Sequence, residues 1–262
     1  MLFGILLYDA LYLTFASVIY ASCLALALRC APLLPWPLAV PICALVFLLA
    51  LIAEVGVLTA LCPRLVPGRY VLFKDRVYYG WLFRSMLRRI LFVPGIKWII
   101  FSSNLLRFLA LRALGADVSL TSLVSTDVEL LDPSLVRIEP LATLGARVMI
   151  SCHYVSGGKL LLKPVHIGAR AMLAAEALVA PGVTIGPRAS IGSRAALGVQ
   201  VTVEEEAEIG GAAVIDSFAR IGARAQIGTA AYVPALEEVA AGSRWDAARS
   251  APSMRTSAAP AV

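Results

Sequence analysis

Charge is scarce in this chain, histidine nearly absent, and cysteine present without a pattern. Asp, Glu, Lys and Arg make up 15% of its 262 residues and hydrophobic types 60%, against roughly 25% and 45 to 50% in an ordinary soluble domain. An apolar excess of that size excludes a purely water-exposed fold and has to be housed in long runs. Cys23, Cys30, Cys43 and Cys62 lie in or beside such runs, and Cys152 stands alone. Neither a disulfide framework nor a CxxC metal pattern is available, and the first four cysteines read as small apolar residues. No metal is expected.

The apolar excess sits at the front. Between Met1 and Leu28 the only charge is Asp9, and between Ala31 and Leu61 the only charge is Glu54. Each run exceeds the roughly 20 apolar residues that cross a bilayer, so residues 1–63 read as two transmembrane helices. No Lys or Arg precedes the first run and no clear cleavage site ends it, which argues for an anchor that stays on the mature chain. Residues 64–112 then carry ten basic side chains against Asp75 alone, while the remainder holds twelve basic and fourteen acidic. Lys and Arg are retained on the cytoplasmic side of a membrane segment. The C-terminal portion is therefore expected in the cytoplasm, with a short outer loop near Arg29 to Trp36. The pI of about 9.2 then speaks for a membrane and for no nucleic-acid partner.

Within residues 64–113, "YYGWLFRSMLRRILF" (78–92) and "WIIFSSNLLRFLALRAL" (98–114) mix basic and large apolar residues. They suit amphipathic helices, separated at Pro94 and Gly95, either lying in the headgroup layer or packed against each other and the following domain. A third crossing over 90–111 would place Lys97 and Arg107 in hydrocarbon.

Further on the chain counts in sixes. Stepping from Ile167 gives Leu173, Val179, Ile185, Ile191, Leu197, Val203, Ile209, Ile215, Ile221 and Ile227 without a miss. The fifth residue of those hexads is always Ala or Val, from Ala171 to Ala231. One large and one small inward position per hexad is what a narrow, flat-sided coil needs. The second residue is always Gly, Ala, Glu or Asp, which suits a tight corner. A period of six fits neither a helix nor a single strand. The frame extends backwards through Ile150, Leu144 and Ile138 to Leu120 and Leu114, weakly at Asp132 and Thr126, and slips by five residues at "SGGKL" (156–160) before resuming at Leu161.

These residues resemble the hexapeptide-repeat, left-handed parallel β-helix family of acyltransferases, in which three hexads make one triangular coil stacked on its neighbours. The resemblance covers residues 114–245. It implies an acyl-CoA donor, acetyl-CoA or another, a homotrimer with sites in clefts between subunits, and a coil-borne histidine next to a loop as general base. "LLDPSLVRIEPLATLGARVMISCH" (130–153) is similar to the segment leading to that histidine, which makes His153 the candidate. An imidazole, with an ordinary pKa of about 6.5, is matched to taking a proton from an attacking hydroxyl or amine near neutrality. If the slip leaves the triangular register intact, Glu176 lies one coil beyond His153, about 4.8 Å along the axis, where it could orient the imidazole. Arg194 follows one coil further, and is expected beside the CoA. His166 reads as structural. Cys152 is a weaker nucleophile candidate, because adjacent strand residues point to opposite sides. The zinc hydratases of this fold need three histidine ligands from their subunits, which two histidines so placed do not supply.

The closing segment "EVAAGSRWDAARSAP" (238–252) keeps Gly242, Ser243 and Trp245 of the family's CoA-holding "VPAGSxWxGSPA" but not its glycine and proline spacing. Trp245 is the residue that the resemblance places near the CoA. Residues 246–262 are expected to be a disordered tail. Together these features imply a membrane-anchored, cytoplasm-facing acyltransferase acting on a membrane-associated acceptor, such as a lipid-linked sugar, an envelope glycan or a lipid. The order of hydrophobic helices, "WLFRSMLRR", "LRALGADV" and hexads is also similar to the membrane and β-helix modules of ε-poly-lysine synthase-type peptide synthetases. That likeness implies a non-catalytic platform or an amide-forming partner instead.

Overall fold

The computed structural model describes residues 2–246, so the tail expected from 246 lies, apart from Asp246, outside the described residues. Two apolar helices open the chain, α1 (Leu2–Cys30) and α2 (Trp36–Leu61), joined by a short turn over Ala31–Leu33. Pro32 sits in that turn and Pro35 is the N-cap of α2, which fits residues that cannot continue a helix but can begin one. Both helices are long and apolar enough to cross a membrane, and only 22% of each candidate span is buried within the protein. The rest of their apolar surface needs an apolar surrounding. Glu54, the one charge of the second run, accepts a hydrogen bond from the Ser22 hydroxyl at 2.8 Å, so the two helices satisfy a polar group between them.

A strand, Gly68–Val71, and three helices follow: α3 (Arg76–Leu91), α4 (Pro94–Ser102) and α5 (Asn104–Ala113). The second amphipathic stretch thus holds two helices, because the Ser103 side chain accepts from the Leu106 N–H and caps a new start. These helices pack on the apolar pair and on the following domain. Tyr20 of α1 donates to Ile90 O at 2.6 Å. The two basic residues that a third crossing would have stranded are used for docking. Lys97 meets Glu129 at 2.5 Å. Arg107, only 4% exposed, donates to Val124 O and Ser122 O at 2.9 and 2.8 Å. It thereby satisfies carbonyls at the open edge of the first coil, an edge that a solenoid has to cover.

From Asp117 the chain winds into a left-handed parallel β-helix of three faces. The first runs from Asp117–Val118 to Glu238–Val239, the second from Leu123–Val124 to Arg244–Trp245, and the third from Glu129–Leu130 to Tyr232–Val233. Leu173 pairs with Ile191 and Ile191 with Ile209, eighteen residues or three hexads per turn. The first and fifth residues of the hexads form the core: Ile185, Ile191, Ala189 and Ala195 are fully buried. The fourth residue takes the left-handed conformation, as at Arg170, Arg188, Arg194, Glu206 and Phe218, with φ between 58° and 66°. Each such corner costs a non-glycine residue about 1–2 kcal/mol. It is offset by a bond to the coil below, such as Arg194 N–H to Ala175 O at 2.9 Å. The second-position glycines have a different reason from the corner conformation expected of them. A Cβ on Gly192 would stand 2.5 Å from Gly211 N, so close approach of neighbouring coils excludes a side chain.

The first coils depart from the expected frame twice. Val124 pairs with Leu144, twenty residues on and two more than three hexads. The inward ladder there is Val118, Val124 and Leu130, while Leu120 is 49% exposed and Asp132 leads a short turn, Pro133–Leu135. Leu144 in turn pairs with Leu173, twenty-nine residues on. The insertion therefore holds eleven residues and not five, and the coil resumes at Ile167 and not at Leu161. The insertion is an antiparallel hairpin, His153–Ser156 with Lys159–Leu162. Its turn is formed by Gly157 and Gly158, with φ of 56° and 71°, the two positive values that a tight hairpin turn favours. Strand Gly68–Val71 adds to the hairpin's outer edge, pairing with Lys159–Leu162, so the segment that follows the two apolar helices pins the insertion in place.

Candidate active site

Both departures leave the β-helix at the corner between the third face and the first, one coil apart, and they meet. His153 stands at the base of the hairpin, and its Nδ1 lies 2.7 Å from Asp132 Oδ2 in the two-residue departure. The same oxygen accepts the Cys152 N–H at 3.0 Å. The other, Oδ1, accepts the Trp81 indole N–H from α3 at 2.7 Å. Trp81 also packs edge-on against the imidazole, with ring centroids 4.9 Å apart. The Asp132 side chain is only 2% exposed and that of His153 25%. A carboxylate that accepts three N–H bonds is fixed in orientation, and it fixes the ring. A proton on Nδ1 can donate to Asp132 Oδ2, and this tautomer leaves the lone pair on Nε2. No described residue hydrogen-bonds Nε2. Arg88 of α3 adds positive potential: burial lowers its pKa, while Glu129 and Asp132 act to raise it.

The expected stacking of Glu176 on His153 is overturned by the eleven-residue insertion. Glu176 lies one turn above Arg147 and is hydrogen-bonded to it, on the corner between the second and third faces. The carboxylate at Nδ1 is that of Asp132. Arg194 follows Glu176 up that same corner, and the two line an open groove with Arg147 and Leu178. Trp245 pairs beside Ile227 at the far end. It donates its indole N–H to Tyr232 O at 3.1 Å, so it covers the end of the core. The structure thus joins His153 to Asp132 and Trp81, and it leaves Glu176, Arg194 and Trp245 elsewhere on the same chain.

Cys152 is fully buried and donates weakly to Leu135 O at 3.6 Å. Burial pushes its thiol far above the ordinary range, and the Asp132 carboxylate adds to this. A thiol held protonated is no nucleophile. His166 faces outward on the first face and bonds Glu139 at 2.9 Å. That carboxyl is held below the usual range, chiefly by this bond, but at 26% exposure it is open to solvent as Asp132 is not.

Asp132 and Trp81 were not singled out from the sequence. Asp132 left a trace, since an Asp followed by Pro sits where the hexad frame calls for an apolar residue. Trp81 left none, being fifty-one residues from its partner in a helix whose apolar face has other uses.

No family model and no curated protein sequence matches the chain. Solved structures similar to it include several acyltransferases. A mutant of perosamine N-acetyltransferase from Caulobacter crescentus, in complex with CoA and GDP-perosamine, is 21% identical over 56% of this chain and 63% of its own, with a TM-score of 0.35. The acetyltransferase domain of PglB from Neisseria gonorrhoeae, in complex with acetyl coenzyme A, is 18% identical over 56% and 65%, with a TM-score of 0.32. UDP-N-acetylglucosamine acyltransferase from Campylobacter jejuni is 13% identical over 46% and 66%, with a TM-score of 0.29. The chain therefore spans less than two thirds of the length of the first two. The eighteen-residue register of its own coils decides the fold. The chain carries a hexapeptide-repeat β-helix. In this β-helix the candidate site occupies the place where the repeat is interrupted and α3 reaches it.

Proposed function

We propose that the chain is a membrane-anchored acyltransferase that moves an acetyl or other acyl group from acyl-CoA to a hydroxyl or amine of a membrane-associated acceptor. The observation that carries this reading is the 2.7 Å contact of His153 Nδ1 with a buried Asp132, at the junction of the β-helix with the helices beside the membrane span. His153 Nε2 takes the proton from the acceptor as its oxygen or nitrogen attacks the thioester carbonyl. The carbon–sulfur bond then breaks, and the leaving CoA sulfur receives the proton back from the imidazolium. Asp132 and Trp81 are positioning residues that hold the ring and its tautomer.

Arg194, with Arg147, offers CoA phosphates a cationic edge, and Trp245 is its more distant candidate contact. The outward residues of the third face, Met149, Leu178, Val214 and Tyr232, are exposed and apolar. The first face shows Arg137, His166, Thr184 and Arg220 at the matching positions. An exposed apolar strip running along the third face supports a homotrimer. In that assembly one subunit's arginine edge can face another's histidine. The ten basic residues at 64–112 support a β-helix on the cytoplasmic side.

The test is untargeted mass spectrometry of lipids and envelope glycans from cells lacking the gene, complemented with the native chain or with His153→Ala. A mass increment restored by the native chain alone identifies acyl group and acceptor together. Restoration by both chains, or by neither, removes His153 from the chemistry and favours the platform reading.

A further inference from the structure

A cavity of about 490 Å³ lies between the end of α2 and the first coil, lined by Thr59, Arg64, Arg84, Arg112 and Ser134 among others, with no carboxylate in its wall. Its size is that of small-molecule sites. Arg84 spends one nitrogen, Nη2, on the carbonyls of Thr59, Cys62 and Pro63 at 3.0 to 3.2 Å. Its Nε is buried with no partner, and so is the hydroxyl of Thr59, a residue only 5% exposed. Among the described residues Arg84 and Arg64 have no acidic partner, while Arg112 pairs with Asp117 at 2.8 Å. Burial lowers the pKa of Arg84, as it does for a guanidinium short of a counter-charge.

A partly buried cation with spare donors, beside an unpaired buried hydroxyl, fits an anion with several acceptor oxygens, and planar guanidinium groups match phosphate. The position names the source. α2 ends at Leu61, so the cavity opens where a bilayer's headgroups would lie. A narrow crevice lined by Thr59, Arg84 and Ser134 continues to Trp81 and Asp132, the groups that hold His153.

We propose that this cavity grips the phosphate or diphosphate of a membrane lipid's headgroup, so that a lipid-linked acceptor is held at its phosphate while the group attached to it extends toward His153. The acceptor clause rests on the acyl-transfer reading; the phosphate site does not.

The experiment is native mass spectrometry of the full-length protein with phosphatidylcholine, phosphatidylglycerol or a polyprenyl phosphate, alone and in competition with inorganic phosphate. The expected result is retention of the two anionic lipids over phosphatidylcholine, weakened about tenfold by Arg84→Gln, the loss of charge-assisted hydrogen bonds. Because Arg84 also holds the end of α2, the exposed Arg64→Glu is the second variant and should weaken retention in the same order of lipids. Equal retention of all three lipids, or unchanged retention in both variants, overturns the proposal. Displacement of the lipid by inorganic phosphate reassigns the site to a free anion and overturns the lipid source. No turnover enters this readout, so failure of His153 chemistry would leave it standing, and failure here would leave the acyl-transfer reading intact.

Discussion

From Ile167 onward every rung stacks eighteen residues above the last, whereas the coils before it break that spacing by two residues at Asp132 and by eleven at the hairpin. The regular coils satisfy the rules of the repeat together: large and small apolar residues alternate inward, mostly glycine stands where coils touch, and corner amides bond the turn below. The interrupted coils violate the repeat and place there a buried carboxylate and a histidine. Departures from consistency are where function is expected, because a residue freed from the stacking pattern can be aimed at something else. The regular part supplies rigidity, and the irregular part spends it on positioning one imidazole.

Substitutions should separate the two regions. His153→Ala is expected to lower kcat/KM for acyl transfer by about 10²–10⁴-fold while leaving the thermal unfolding midpoint nearly unchanged, read by steady-state kinetics and calorimetry on one preparation. Ile191→Ala, in the regular coils, should do the reverse, costing about 2–5 kcal/mol of stability with activity per folded molecule retained. Gly192→Ala should destabilise by about 1–3 kcal/mol, since the added methyl meets the next coil's backbone; denaturant titration measures it. Trp81→Phe keeps the ring beside His153 and removes the N–H to Asp132. About a tenfold loss in kcat is expected, the worth of one hydrogen bond to a charged group, with KM for acyl-CoA unaltered.

The smallest effect belongs to Glu139. Its carboxyl is held low by His166, so the folded chain binds that proton less readily than the unfolded one. The contribution is present above the ordinary carboxyl pKa and is lost as pH falls through the lowered one. Glu139→Gln should therefore make the unfolding midpoint less sensitive to acid below about pH 5, where carboxyl groups ordinarily titrate. The change should be under about 1 kcal/mol, because the pair is exposed to solvent.

The strict hexads were legible because each position carries its own steric demand, and so were the two long apolar helices, because composition alone defines them. The candidate histidine was legible too, through its place beside an interruption. The length of that interruption was not. Leu160 and Leu162 are buried in the hairpin and mimic a resumed ladder at Leu161, which shifted the stacking frame and set Glu176 in the place that Asp132 holds. Trp81 was hidden for a different reason: an interaction between helix α3 and a coil leaves no periodic mark in either.

A double-mutant cycle on acyl transfer tests the central claim most directly, comparing Asp132→Asn, His153→Ala and the two combined. If carboxylate and imidazole act as one unit, Asp132→Asn alone is strongly impaired and the double variant is no worse than His153→Ala. Full activity of Asp132→Asn, or losses that multiply in the double variant, would contradict the account.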